Sequence, residues 1–147
     1  MKTFFLALFV GMLYMLGVTF FIILSAQLYY LEHYDIHVYY NPLYVDSINL
    51  YFYILSSIVI GFVIILANKL FIHLVVASIF FSIAILSFYP PFGYSVGDIL
   101  YKKRSVTLQS ARHTYDGDIL YSGRGYYEFF DYELNRKIMI QKKDLLR

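Results

Sequence analysis

The sequence predicts an integral membrane α-helical protein with three transmembrane helices, followed by a small C-terminal antiparallel β-meander module. Three observations carry that expectation. Residues 48–89 read as two apolar runs of about 20 residues, the length that spans a ~30 Å hydrocarbon core, split by Asn68-Lys69. Lys69 is the only full charge between Asp46 and Asp98. A lipid-facing helix must be apolar on every side, whereas a soluble core helix need not be. After Tyr94 the long apolar runs give way to short alternating segments and turn residues.

The first predicted helix covers residues 3–26. One Lys precedes its apolar run, as in a secretory leader, but the run is much longer than the about 7–15 residues of such a leader, so an uncleaved helix is expected. Residues 27–47 form a connection crowded with Tyr29, Tyr30, Tyr34, Tyr39, Tyr40 and Tyr44. A tyrosine pairs an apolar ring with a hydroxyl that wants water, and so suits the headgroup level. The start of this stretch can prolong helix one until Asn41-Pro42 breaks it. Helices two and three are expected at 48–67 and 70–89, the last stopped by Tyr89-Pro90-Pro91-Phe92-Gly93. Ala7 with Gly11, Ser57 with Gly61, and Ser78 with Ser82 are small pairs four apart, the spacing that lets helix backbones approach in lipid.

The membrane domain is thus assigned to residues 1–93 and the extramembrane module to 94–147. In the module, Val106 and Leu108 alternate with polar neighbours as in a strand. Asp116-Gly117 is expected to turn, 118–122 to form a strand, Gly123-Arg124-Gly125 to turn, 126–132 to form an aromatic strand, 133–136 to turn, and 137–141 to form the last strand. Tyr126, Phe130 and Tyr132 would share one face of the aromatic strand, and Tyr127 and Phe129 the other. A small sheet buries only one face against itself, so Tyr127 and Phe129 are expected to meet either the Tyr-rich connection or another protein.

Composition excludes several functions. The net charge of +2 is too small to suggest nucleic-acid binding, and the absence of cysteine removes disulfides, thiolate metal sites and cysteine nucleophiles. All Lys and Arg except Lys2 and Lys69 follow residue 100, while the first connection has none. The basic-residue rule is dominated by the first helix, which favours a cytoplasmic N-terminus and a periplasmic module in a bacterial inner membrane.

Chemically suggestive residues are few. Gly93-Tyr94-Ser95-Val96-Gly97 matches G-x-S-x-G, but its place after a double proline reads as a linker and not as the strand-to-helix elbow of a serine hydrolase. His33 and His37 would share a helix face at i, i+4 as weak metal-ligand candidates, with the third ligand left to Glu32, Asp46 or His113. His73 lies one turn from Lys69, near the membrane edge, and no carboxylate lies within a span to complete a proton relay. Lys102-Lys103-Arg104 could meet anionic headgroups. No cofactor or small-molecule substrate is indicated.

The layout, a helical membrane bundle followed by a compact β module, is similar in architecture to short NfeD-like membrane proteins, and no residue role is carried over from that likeness. The expected function is a non-enzymatic accessory, assembly or chaperone-like subunit of a larger inner-membrane complex such as a motor, respiratory or secretion assembly. Its expected partners are the lipid bilayer and a larger integral membrane protein, contacted through Tyr127, Phe129, Ala7, Gly11, Ser57 and Gly61. The alternatives are a metal- or lipid-binding membrane protein and a membrane serine hydrolase using Ser95.

Overall fold

The computed structural model describes residues 2–67, 69–110 and 113–146, arranged as five α-helices followed by a four-stranded antiparallel sheet. The first helix is the axis of the molecule. α1 (Lys2–Ala26) continues without interruption into a π-helical turn (Gln27–Leu31), giving 30 helical residues, so the start of the connection does prolong the helix expected over 3–26. Asp35, in the left-handed region at φ 53°, then turns the chain out of the helix. Pro42 is therefore not the breaker. It sits in the first turn of α2 (Tyr40–Ser47), where a missing N–H costs nothing.

α3 (Leu50–Leu66) departs from α2 at 78°. Asn49 caps it, its side chain accepting the Phe52 N–H at 3.1 Å. α4 (Leu70–Leu86) stops earlier than expected, and Pro90-Pro91 do not open a linker. They occupy the first positions of α5 (Pro90–Tyr101), which leaves α4 at 95°. The G-x-S-x-G stretch is therefore helical, and the expected domain limit at residue 93 falls inside α5. The helix from Lys2 to Leu31 is long and apolar enough to cross a membrane, and among the described residues there are up to three candidate spans by length and composition if each bent pair counts as one.

Against α1, α3 runs antiparallel. Tyr53 donates to the Met12 carbonyl, and the Phe4 and Phe62 rings lie 6.0 Å apart. Ala67 and Lys69 thus lie at the same end as Lys2. Ala7 and Gly11 meet Ser57 and Gly61 across this contact, all four buried. A Cβ on Gly11 would come within 1.8 Å of the Ser57 carbonyl oxygen, and one on Gly61 within 1.8 Å of that of Ala7. Ser78 and Ser82 on α4 stay exposed, and α4 has no fully buried residue.

The sheet is a meander of β1 (Lys103–Gln109), β2 (Thr114–Ser122), β3 (Tyr126–Asp131) and β4 (Arg136–Gln141), in that order. Asp116-Gly117 lies inside β2 and does not turn the chain; Gly117 pairs with Asp131, and a Cβ there would meet the Phe130 carbonyl oxygen at 1.9 Å. After β4 a 3₁₀ turn (Lys142–Asp144) brings the tail back to β1. Ser110 bridges Leu145, and Leu146 donates its N–H to the Gln109 carbonyl at 2.8 Å.

The faces of β3 are the reverse of those expected. Tyr127 and Phe129 lie opposite Ile140 and Ile138, so they join Ile119 in the module's own core. Phe129 is wholly buried there and is not offered to a partner. Tyr126 and Phe130 pack instead against the core that Ile23, Tyr30, Leu31, Ile36 and Leu43 share with Leu120 and Tyr121 of β2. The reason is the partner strand: β4 alternates Lys137, Ile138, Met139, Ile140 and Gln141, and its two isoleucines fix which side is dry.

Candidate functional site

The two halves of the chain meet in an aromatic and ionic seam, the most elaborate constellation in the protein. Tyr30, on the π turn, is its centre. Its ring is fully buried, and its hydroxyl donates to the Leu120 carbonyl of β2 at 3.0 Å. Gly93 and Gly97 of α5 permit this approach, since a Cβ on Gly97 would lie 2.1 Å from that of Tyr30 and one on Gly93 2.5 Å from the Ser25 carbonyl oxygen. Around it, Tyr34 and Tyr94 share a hydroxyl hydrogen bond of 2.8 Å, and so do Tyr101 and Ser47. Tyr29 donates to the Phe88 carbonyl and Gln27 to that of Val38. The tyrosines expected at headgroup level thus mostly tie elements together, although Tyr39 and Tyr51 remain open.

Charged ties frame the rings. The Lys102 ammonium lies 3.4 Å from Asp118 and 3.8 Å from Asp98, while Arg104 binds Asp98 at 2.7 Å. Burial of Asp118 opposes its ionisation. The Tyr132 hydroxyl, the Ser105 N–H and the Lys102 charge more than offset that, and hold the carboxyl below its usual range. Arg124, in the β2–β3 turn, grips Asp46 with two contacts of 2.9 Å. Lys137 donates to the Tyr34 and Asp35 carbonyls at 2.8 and 2.6 Å and faces Glu128 at 3.9 Å. Glu128 is buried, and this desolvation, with a smaller push from Asp35, raises its pKa against the pull of Lys137. Burial likewise pushes the Tyr121 phenol to about 12 and raises that of Tyr34, with the Tyr94 bond adding to the latter. Among the described residues no buried side-chain nitrogen or oxygen lacks a hydrogen-bond partner.

The other sequence candidates fall elsewhere. His33 and His37 do not share a helix face, because the helix has ended by Asp35. His33 packs edge-on against Tyr34 and Tyr94, and His37 is exposed with its Nε2 3.0 Å from Asp35. They flank separate surfaces: His37, with Glu32 and Gln27, lines an open depression of about 520 Å³. Among the described residues, no three His, Asp or Glu side chains converge as a ligand set. Ser95 is exposed on α5 and donates to the Pro91 carbonyl at 2.8 Å. Its conceivable partners are engaged elsewhere, Asp98 with Arg104 and Asp116 with Thr107, while the His113 ring packs near Tyr115. His73 bonds the Ala67 carbonyl at 3.0 Å. In the basic strip, Lys102 and Arg104 are committed to carboxylates, which leaves Lys103 facing outward.

Sequence reasoning offered a contact between the aromatic strand and the Tyr-rich connection, through the wrong face of the strand, and missed the individual ties, of which Tyr30 and Leu120 are 90 residues distant. The usable signal was the pair Gly93 and Gly97, four apart beside an aromatic-rich stretch, which matched a catalytic pattern while serving helix contact. No protein-family model, curated protein or solved structure matches the chain, so its function is argued from this seam.

Proposed function

We propose that the chain is a non-enzymatic accessory or assembly subunit of a larger bacterial inner-membrane complex, a membrane-held mount that presents its β module in a fixed attitude. It crosses the bilayer three times, with α1, α3 and α4 in the three spans, the N-terminus cytoplasmic and the module periplasmic. The observation that carries the reading is the seam: Tyr30, on the spanning helix, is itself part of the buried core against which the sheet packs. A module on a flexible linker could search for a substrate; a module bolted to the helical half of the chain at Lys102, Arg124 and Lys137 suits rigid docking. The apolar surface of α4, with no fully buried residue, supports the same reading, because it leaves a spanning helix free to lie against another protein's helix.

The test is photocrosslinking in native membranes from positions 78 and 82 of α4, followed by purification in mild detergent. One integral membrane protein, recovered in fixed stoichiometry and joined at both positions, is the expected result. A chain that purifies alone and crosslinks only to lipid overturns the reading.

A further inference from the structure

β4 borders an open groove of about 900 Å³, lined by its residues together with others that include His113, Tyr115 and Leu146. The Lys142 N–H donates to the Gly125 carbonyl at 3.0 Å and prolongs the β3–β4 ladder. Opposed residues in an antiparallel ladder alternate between bonded and non-bonded pairs, so residues 140, 138 and 136 bond to β3. Lys137, Met139 and Gln141 therefore turn their N–H and C=O groups away from β3, and Met139 and Gln141 also line the groove. Among the described residues, no backbone group from another segment pairs with them. The surrounding apolar side chains are also uncovered, with Leu134, Met139 and Leu146 more than half exposed. An edge of this kind is a template for an added strand.

Charge decides the occupant. Arg136 and Lys143 line the groove against the single acid Asp144. Two copies paired antiparallel about Met139 would set Arg136 against Lys142 and bring like charges together, which disfavours a second copy of this chain. We infer that the groove takes an extended segment of a partner protein in which apolar and acidic residues alternate, added as a strand to β4. This deepens the accessory-subunit reading and rests on it only for where the partner resides.

The test uses the full chain in detergent micelles and two fluorescein-labelled peptides of equal length, one alternating Val and Glu and the other Val and Lys. Saturable binding of the acidic peptide is expected, about tenfold or more tighter than the basic one. On binding, amide exchange should slow at 137, 139 and 141. Met139→Pro removes one outward donor without touching the ladder to β3 and should weaken binding about tenfold. Arg136→Glu with Lys143→Glu, a surface change that leaves the fold alone, should invert the peptide preference. No saturable binding, equal binding of the two peptides, or unchanged preference in the charge-reversed protein overturns the inference. Peptide binding without a co-purifying membrane protein would instead count against the accessory-subunit reading alone.

Discussion

At the junction of α5 and the sheet, the Asp118 carboxylate gathers the Ser105 N–H, the Tyr132 hydroxyl and the Lys102 ammonium. Its folded pKa lies below the ordinary value. Such a group contributes stability that is present above its unfolded pKa and is lost as pH falls through the folded one. Asp118→Asn should therefore lower the melting temperature at pH 7, by the equivalent of about 1–3 kcal/mol for lost charged hydrogen bonds. Wild type and variant should converge as pH drops below the carboxylate range. Glu128 has the opposite sign, because its folded pKa is raised. Its contribution is full below the unfolded pKa and is lost as pH rises through the folded one. Glu128→Gln should match wild type in acid and exceed it at neutral pH, since Lys137 keeps two carbonyl acceptors. Thermal unfolding in detergent across pH 3–8 reads both slopes, roughly bracketing the carboxylate range.

Helix contacts in this protein are made by glycine. Gly61→Leu would drive its side chain into the Ala7 carbonyl and part α3 from α1, while Gly125→Ala enters open space. The first should cost about 1–3 kcal/mol or more and expose the hairpin to protease, and the second should be silent. Much at this scale was legible in the sequence. The apolar runs lie in α1, α3 and α4, and the alternation of 106–109 lies in β1, because burial demands a periodicity that local residues display. What failed was punctuation. Pro90-Pro91 and Asp116-Gly117 are turn signals in isolation, but proline also starts helices, and glycine also admits a close neighbour strand. The faces of Tyr126–Asp131 were reversed because alternation shows that two faces exist, and only the register with Ile138 and Ile140 shows which is dry. The seam was illegible for a simpler reason. Its long-range ties, such as Tyr30 with Leu120 and Arg124 with Asp46, join residues dozens of positions apart, and no local pattern records which residues meet.

For the whole molecule, Phe4 beside Phe62 and Tyr30 against Leu120 set Lys2 and Lys69 at one end and the module at the other. Single cysteines in this cysteine-free chain test the proposed orientation. His37→Cys and Gly125→Cys, both at exposed positions, should react with an impermeant thiol reagent on intact cells. Lys2→Cys and Lys69→Cys should react only after permeabilisation. The reverse pattern would invert the protein in the membrane, and labelling that separates 37 from 125 would break the arrangement of one mount carrying one module.

Because α1 runs unbroken from Lys2 into the buried collar around Tyr30, in the proposed bilayer placement it would be a lever as well as an anchor. Its 30 residues make a rod of roughly 45 Å at 1.5 Å per residue. A bilayer that thins or thickens is met by helix tilt, and a change of about 10° at the base would carry the far end sideways by roughly 8 Å. The sheet, wedged on that end by Lys102, Arg124 and Lys137, would travel with it as one piece. Membrane thickness would thereby be translated into the position of the module.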